Sequence, residues 1–412
     1  MRNHIPTTIL SLRRIGFGAV LACCLFCGVP SALAAPGSWT QKADLPMALD
    51  THASCAVDGI LYVIGGHKDV GAYTQLPTLF AYDPKADTWT RKRDMPTARR
   101  WPAACVVDGI IYVIGGGGMF SPATDAVEAY DSKADTWVTK AKLSSARFAV
   151  VACAVDGIIY AIGGASGVLP EIQGWATVQA YDPKTDQWTP RRGLPIAGGG
   201  GVANVVNGLI YVFLGRDTFA YDPKTDQWTR KARIPTWSLE SYFAASGNVD
   251  GIIYLFGGSS YHGDTTYDLT LAYDPDRFAA KRRMPMTCEA AACATIGGKI
   301  YLSGGANQDP IKHPVGAVYY DSLWVFDPQG GVAPQILGLD LESTNSVRLT
   351  WQGEPGRLYG VQSTVDLAKG QWTWVNFSTA TNSILATNAL VEATCAVSPA
   401  DPKRFFQILE AN

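Results

Sequence analysis

The segment Asp58-Gly59-Ile60-Leu61-Tyr62-Val63-Ile64-Gly65-Gly66 recurs along the chain, and no other sequence feature constrains the fold as strongly. It returns as Asp108–Gly116, Asp156–Gly164 and Asp250–Gly258, with weaker copies at Asn207–Gly215 and Gly297–Gly305. The last glycine of each copy falls at 66, 116, 164, 215, 258 and 305. Self-similarity at such a period is the signature of a repeat architecture. In most copies an Asp-Gly or Asn-Gly pair joins two apolar runs, which predicts a tight β-hairpin. A second element follows each copy: Tyr82-Asp83, Tyr130-Asp131, Tyr181-Asp182, Tyr221-Asp222, Tyr273-Asp274 and Phe326-Asp327. Trp89, Trp137, Trp188 and Trp228 lie seven residues beyond the tyrosines. Each unit therefore reads as four short antiparallel strands. One such sheet cannot bury both of its faces, whereas sheets stacked radially as blades can.

This Gly-Gly, Tyr and Trp pattern resembles the kelch-repeat family of β-propellers. The resemblance implies an all-β, six-bladed propeller over residues 35–331. The sixth unit ends at Phe326-Asp327-Pro328 without a Trp strand, while Trp39 to Pro46 matches Trp89 to Pro96. The first strand after the N-terminal leader is therefore expected to complete the last blade, which removes an open sheet edge. Residues 332–412 lack the repeat and alternate like strands, as in Ser346-Val347-Arg348-Leu349-Thr350-Trp351. They resemble a small fibronectin type III-like β-sandwich, a module that commonly serves as a spacer or attachment unit.

Residues 1–34 read as a signal peptide. Arg2, Arg13 and Arg14 precede an apolar stretch from Ile15 to Val29, and Ala32-Leu33-Ala34 supplies the cleavage pattern. The protein is expected to be exported, to the periplasm, the cell surface or the medium. A lipidated form at Cys23 in Val20-Leu21-Ala22-Cys23 is the alternative. No apolar run of spanning length follows the leader, so no transmembrane segment is expected after cleavage. The net charge of −2 carries no footprint for nucleic acid.

In a propeller the loops between second and third strands, and those between blades, share one face. Here they vary while the turns of the opposite face are nearly identical, so function is expected on the variable face. The four histidines beyond the leader, His52, His67, His262 and His313, fall in loops of blades 1, 5 and 6 on that face. Asp50, Asp69, Asp264, Glu289, Asn307 and Asp309 accompany them. Imidazole and carboxylate suit a divalent metal, but no pair has a local metal-ligand spacing. Arg99, Arg100, Trp101, Phe120, Phe148, Tyr242, Phe243 and Tyr261 share the face, and rings beside polar groups suit a sugar or a peptide. Blade 4 has a very short loop at Arg216 and a Gly198-Gly199-Gly200-Gly201 approach, which would lower the rim there. Cys55, Cys105, Cys153 and Cys293 read as one equivalent small buried position in four blades, while Cys288 and Cys395 fall outside the set.

No nucleophile elbow or phosphate loop is present. The expected function is non-catalytic binding of a glycan or protein partner, by a monomer without a cofactor. A sugar-processing enzyme on the same face is the alternative. Copper radical oxidases of the galactose oxidase type also join a kelch propeller to a sandwich, but with seven blades and a ligand motif not matched here. Bacterial sialic acid mutarotases are six-bladed kelch proteins. A similar mutarotation would need one acid and one base, such as Glu240 or Glu289 with Arg100 or a histidine.

Overall fold

The computed structural model describes residues 37–330, apart from 69–73, 119–120, 169–170, 236–241, 261–264, 275 and 308–317, and the strand backbones before and after that range. Among the described residues every regular element is a β-strand. The chain divides into two compact units, Trp39–Asp327 and Met1–Ser38 with Pro328–Asn412.

The larger unit is six four-stranded antiparallel sheets. Their innermost strands are Ala53–Val57, Ala103–Val107, Val151–Val155, Val202–Val206, Ala245–Val249 and Ala292–Ile296. Each of these touches the next, and the sixth touches the first, so the sheets form a closed six-bladed propeller. In blade 1 the order runs outward through Ile60–Ile64 and Leu79–Asp83 to Thr88–Arg91. In blade 6 it runs through Lys299–Ser303 and Leu323–Asp327 to Ser38–Lys42.

The cores lie between blades. Cys105, Tyr112 and Ile114 of blade 2 pack with Ile159, Ala161 and Tyr181 of blade 3. The Tyr rings meet edge-on or tilted across successive interfaces, at 6.1 Å for Tyr62–Tyr130 and 5.9 Å for Tyr112–Tyr181. Two polar clamps recur on the outer side. The indole N–H of Trp89, Trp137, Trp188 and Trp228 donates to a carbonyl of the preceding blade at 2.8–3.0 Å. Trp39 donates likewise to the Arg282 carbonyl at 3.3 Å. The hydroxyls of Tyr82, Tyr130, Tyr181 and Tyr221 donate to Asp87, Asp135, Asp186 and Asp226. The same aspartates accept a backbone N–H from the preceding blade, and these bonds hold their carboxyls below the usual range.

The Gly-Gly pairs mark where blades approach backbone to backbone. A Cβ on Gly115 would lie 2.5 Å from the Arg147 carbonyl of blade 3, and the Gly116 N–H donates to that carbonyl at 2.8 Å. Gly65, Gly163, Gly257 and Gly304 meet the next blade in the same way.

The cysteine alignment needs one correction. Cys55, Cys105 and Cys153 pair with Tyr62, Tyr112 and Tyr160, but Ala294 is the residue opposite Tyr301. Cys293 is opposite Leu302, so period-2 alternation turns it toward the channel instead of the blade interface. The sixth copy carries Gly297-Gly298 where the others carry one glycine after the turn's first residue, which makes the offset easy to miscount. Cys288 is buried, with its Sγ against the carbonyls of Glu289 and Gly304, and the Cys395 side chain lies outside the described residues.

The smaller unit holds two antiparallel sheets. Ile336–Ser343, Ser346–Gln352 and Leu390–Ala396 form one. Leu358–Thr364 and Lys403–Glu410 are central to the other, which also takes in Thr8–Ile15 and Ala19–Phe26. The cleavage pattern at 32–34 and the linker at 332–334 lie outside the described residues.

The close approach yields a paired prediction. Gly115→Ala places a methyl on a neighbouring carbonyl at a left-handed φ of 60°, whereas Gly109→Ala, at φ 77°, meets nothing within 4 Å. Urea melts should show Gly109→Ala costing about 1 kcal/mol and Gly115→Ala at least about twice that.

Candidate functional site

Each inner strand is preceded by one residue in the left-handed region: Thr51, Trp101, Ala149, Gly200, Phe243 and Ala290, with φ between 50° and 75°. Each lies fifteen residues before the last glycine of its repeat. Their backbones form a closed hydrogen-bond ring. Trp101 N donates to Thr51 O, Ala149 to Trp101, Gly200 to Ala149, Phe243 to Gly200, Ala290 to Phe243 and Thr51 to Ala290, at 2.7–3.2 Å. The ring encircles the channel at the end of the blades where Ile64 pairs with Ala53, from which the variable loops leave. Left-handed backbone costs non-glycine residues about 1 kcal/mol each, most for β-branched Thr51. The hydrogen bonds gained are of the same order.

One residue further out, the six equivalent positions are Asp50, Arg100, Phe148, Gly199, Tyr242 and Glu289. In blades 1, 3, 5 and 6 this residue pairs with the one after Gly-Gly: Asp50 with His67, Phe148 with Ala165, Tyr242 with Ser259, Glu289 with Ala306. The charged members are consecutive around the ring, on blades 6, 1 and 2. The others are apolar or glycine, with Tyr242 contributing one hydroxyl.

The charged members are internal. Asp50, His67, Arg100 and Glu289 are 1–6% exposed. His67 Nδ1 lies 3.1 Å from Asp50 Oδ1, and Tyr319 meets the His67 ring edge-on at 5.5 Å. The Arg100 guanidinium carbon lies 5.8 Å from the centre of the Trp101 ring. Burial pushes the Glu289 carboxyl up to about 7, helped by the charge of Asp50. Burial takes His52 down to about 4. Its Nε2 lies 2.9 Å from Ser303 Oγ. Two further arginines are fully buried behind this rim. Arg99 pairs with Glu128 and donates to the carbonyls of Gly115 and Ala126. Arg147 meets Gln179 Oε1 at 2.6 Å where blade 2 has Glu128, and burial without a carboxylate lowers it to about 10.

Trp101 and Phe243 belong to opposite blades, 2 and 5, yet their rings meet at 4.6 Å with a 50° tilt. They span the channel mouth. Beneath lies a cavity of about 210 Å³, walled by the ring residues and the first residues of the inner strands.

Of the residues expected on the binding face, the structure places His52, His67, Arg100, Glu289 and Asn307 at the mouth end but buried. They support the rim and are not themselves available as contact surface. Trp101, Tyr242 and Arg216 are half-exposed. Arg216 stands in a two-residue turn between strands paired as far as Leu214 and Asp217. Phe120, Tyr261, His262, Asp309 and His313 lie outside the described residues. Among the described residues no group of three or more His, Cys, Asp and Glu is placed to hold a metal. The Trp101–Phe243 contact and the left-handed ring escaped sequence reasoning. Their signal was a constant offset from Gly-Gly, hidden because the six residue types differ.

Glu289 and His52 have opposite pH consequences. Glu289, raised from 4.5 to about 7, contributes stability below 4.5 that is lost as pH rises through 7. His52, lowered from 6.5 to about 4, contributes stability above 6.5 that is lost as pH falls through 4. Between pH 4.5 and 6.5 the two slopes cancel. Glu289→Gln should therefore expose a stability that climbs with pH across that window by about one proton's slope, measured as melting midpoint against pH.

The family described as KLHDC2/KLHL20/DRC7 Kelch-repeats domain matches residues 51–258. Among solved structures the chain is similar to one described as "Structure of YjhT", at 15% identity and a TM-score of 0.57, covering 68% of this chain and 96% of that one. That likeness is one of fold. No curated protein matches the chain. With its repeats, its six blades and this family match over half its length, the chain belongs to the kelch-repeat β-propellers.

Proposed function

We propose that this protein is an exported, non-catalytic binding module whose loop-bearing face engages a protein or glycan partner. The observation that carries the reading is the division of labour at that face. A hydrogen-bonded rim is fixed by buried groups, and loops of unequal length are rooted on it. Trp101, Tyr242 and Arg216 stand half-exposed on the rim, and rings with an arginine favour recognition of another chain. A kelch propeller is generally a scaffold for protein interaction, and a protein partner is the first choice. The reading includes removal of residues 1–34 on export, closure of the ring by Ser38–Lys42, and a sandwich over 332–412 that carries or spaces the propeller.

A sugar-processing enzyme is the second reading, favoured by Glu289. A carboxyl pushed up to about 7, next to the Asp50–His67 pair, has the acidity of a group that gives and takes protons near neutrality.

The test uses protein recovered from the exporting cell, with a photo-crosslinking residue replacing Arg216 on the loop face or Lys133 on the opposite face. The first amino acid of the recovered chain should be Ala35. Crosslinks to a partner should form from position 216 and not from 133. Equal labelling from both positions, or a chain still beginning at Met1, contradicts the reading. Catalysed exchange of sugar anomers that disappears in Glu289→Gln would establish the second reading in its place.

A further inference from the structure

We propose that blade 4 keeps an open strand position at Gly199, which receives an extended acidic segment of a protein partner. The inference rests on the loop-face reading above and names the kind of partner that face takes.

Of the six equivalent residues just outside the ring, five are covered by their own chain. In blades 1, 3 and 6 the backbones of Asp50, Phe148 and Glu289 exchange two hydrogen bonds with the residue after Gly-Gly, at 2.8–3.1 Å. In blades 2 and 5 the carbonyls of Arg100 and Tyr242 accept one such bond, from Gly117 and Ser259. Gly199 of blade 4 makes neither bond among the described residues, and it is half-exposed. The short loop is the reason. Leu209–Leu214 and Asp217–Asp222 stay paired up to Leu214 and Asp217, so the chain turns back before it reaches Gly199. The Arg216 carbonyl accepts from the Ile234 N–H of its own blade at 3.0 Å instead.

An unused N–H and C=O on one backbone residue match one residue of an antiparallel strand, which offers the same two groups in return. The molecule itself shows the fit, because His67, Ala165, Ser259 and Ala306 fill this place in four other blades. Three of the four are small and all are buried, so the pairing residue of the partner is small. The walls are apolar. A Cβ on Gly199 would stand 3.3 Å from Ala165 Cβ of blade 3, and the Tyr242 ring of blade 5 lies against Gly215. Charge sets the rest of the segment. Arg216 adjoins Asp217, whose single carboxylate is shared by Arg230 and Arg233. Three arginines and one carboxylate among the described residues leave this edge of blade 4 positive, which favours acidic side chains flanking the small residue.

The experiment follows the Gly199 amide by nuclear magnetic resonance, in protein made with isotope-labelled glycine, during titration with the capped heptapeptide Thr-Glu-Thr-Ala-Thr-Glu-Thr. The Gly199 signal should shift saturably and its amide should exchange more slowly. N-methylation of the central Ala removes the N–H offered to the Gly199 carbonyl and should weaken binding about tenfold. Lys in place of both Glu should weaken it about fivefold or more at low salt. A copy of residues 165–174 inserted after Gly215 gives blade 4 the loop of blade 3 and should abolish the shift. If that variant does not fold, the N-methyl comparison on the unaltered protein decides alone. An unmoved Gly199 amide would mean that water alone covers it and would overturn the proposal. So would an equal shift from maltohexaose, or equal affinity for the methylated peptide. Crosslinks from position 216 beside an unmoved Gly199 would sink this inference and leave the loop-face reading standing. Peptide bound at Gly199 without crosslinks in the cell would do the reverse.

Discussion

Six backbone hydrogen bonds joining left-handed residues around the channel mouth are the constraint from which the rest of this propeller follows. Each inner strand starts from one of these residues, so the ring sets where every blade begins. Because the bonds are main chain to main chain, the side chains are free to be Thr, Trp, Ala, Gly, Phe and Ala. The same chain reversal places the following Gly-Gly against the next blade's carbonyl, where a Cβ would collide. Blade number, channel width and the spacing of the loops are thereby fixed together. The outer Trp and Tyr–Asp clamps then hold the periphery in the same order.

A symmetric frame carries an asymmetric set of charges. Glu289, Asp50 and Arg100 are neighbours on three blades, and Arg99 with Glu128 is buried beneath the third. Burying charge is tolerated where a partner or several hydrogen bonds replace water. Arg99 has both. Arg147 has hydrogen bonds to Thr177, Gly163 and Gln179 but no carboxylate; burial lowers the pKa of both guanidiniums, and only at Arg99 does a carboxylate, Glu128, oppose it. These groups stiffen one side of the mouth. The opposite side carries no charge at these positions but Phe148, Gly199 and Tyr242, and there Phe243 lies over Gly200, where an added Cβ would come within 2.6 Å of its ring.

Much of this was legible in the sequence. Asp-Gly turns, Gly-Gly pairs and the Tyr to Trp spacing each report a local backbone requirement, so six copies specified six blades. Burial was harder to read. His52, His67 and Glu289 sit in loop segments between strands, where a sequence suggests solvent, yet each folds inward against a neighbouring blade. That depends on contacts between residues far apart in the chain, such as His52 with Ser303. Cys293 was harder to align because Gly297 stands where the other turns begin with Asp or Asn, so the sixth hairpin lacks the marker that fixes its offset. The Trp101–Phe243 contact joins opposite blades, and no repeat pattern carries information across the ring.

A rim fixed by the main chain can present loops to a partner without reorganising, which is how preorganisation limits the cost of binding. The account therefore rests on the ring being closed and uniformly firm. Amide hydrogen exchange at Thr51, Trp101, Ala149, Gly200, Phe243 and Ala290 tests this directly. All six amides should be strongly protected and exchange at similar rates, Thr51 included, since its bond to Ala290 joins the last blade to the first. Rapid exchange at Thr51 beside five protected amides would show a ring open between blades 6 and 1 and would contradict the account.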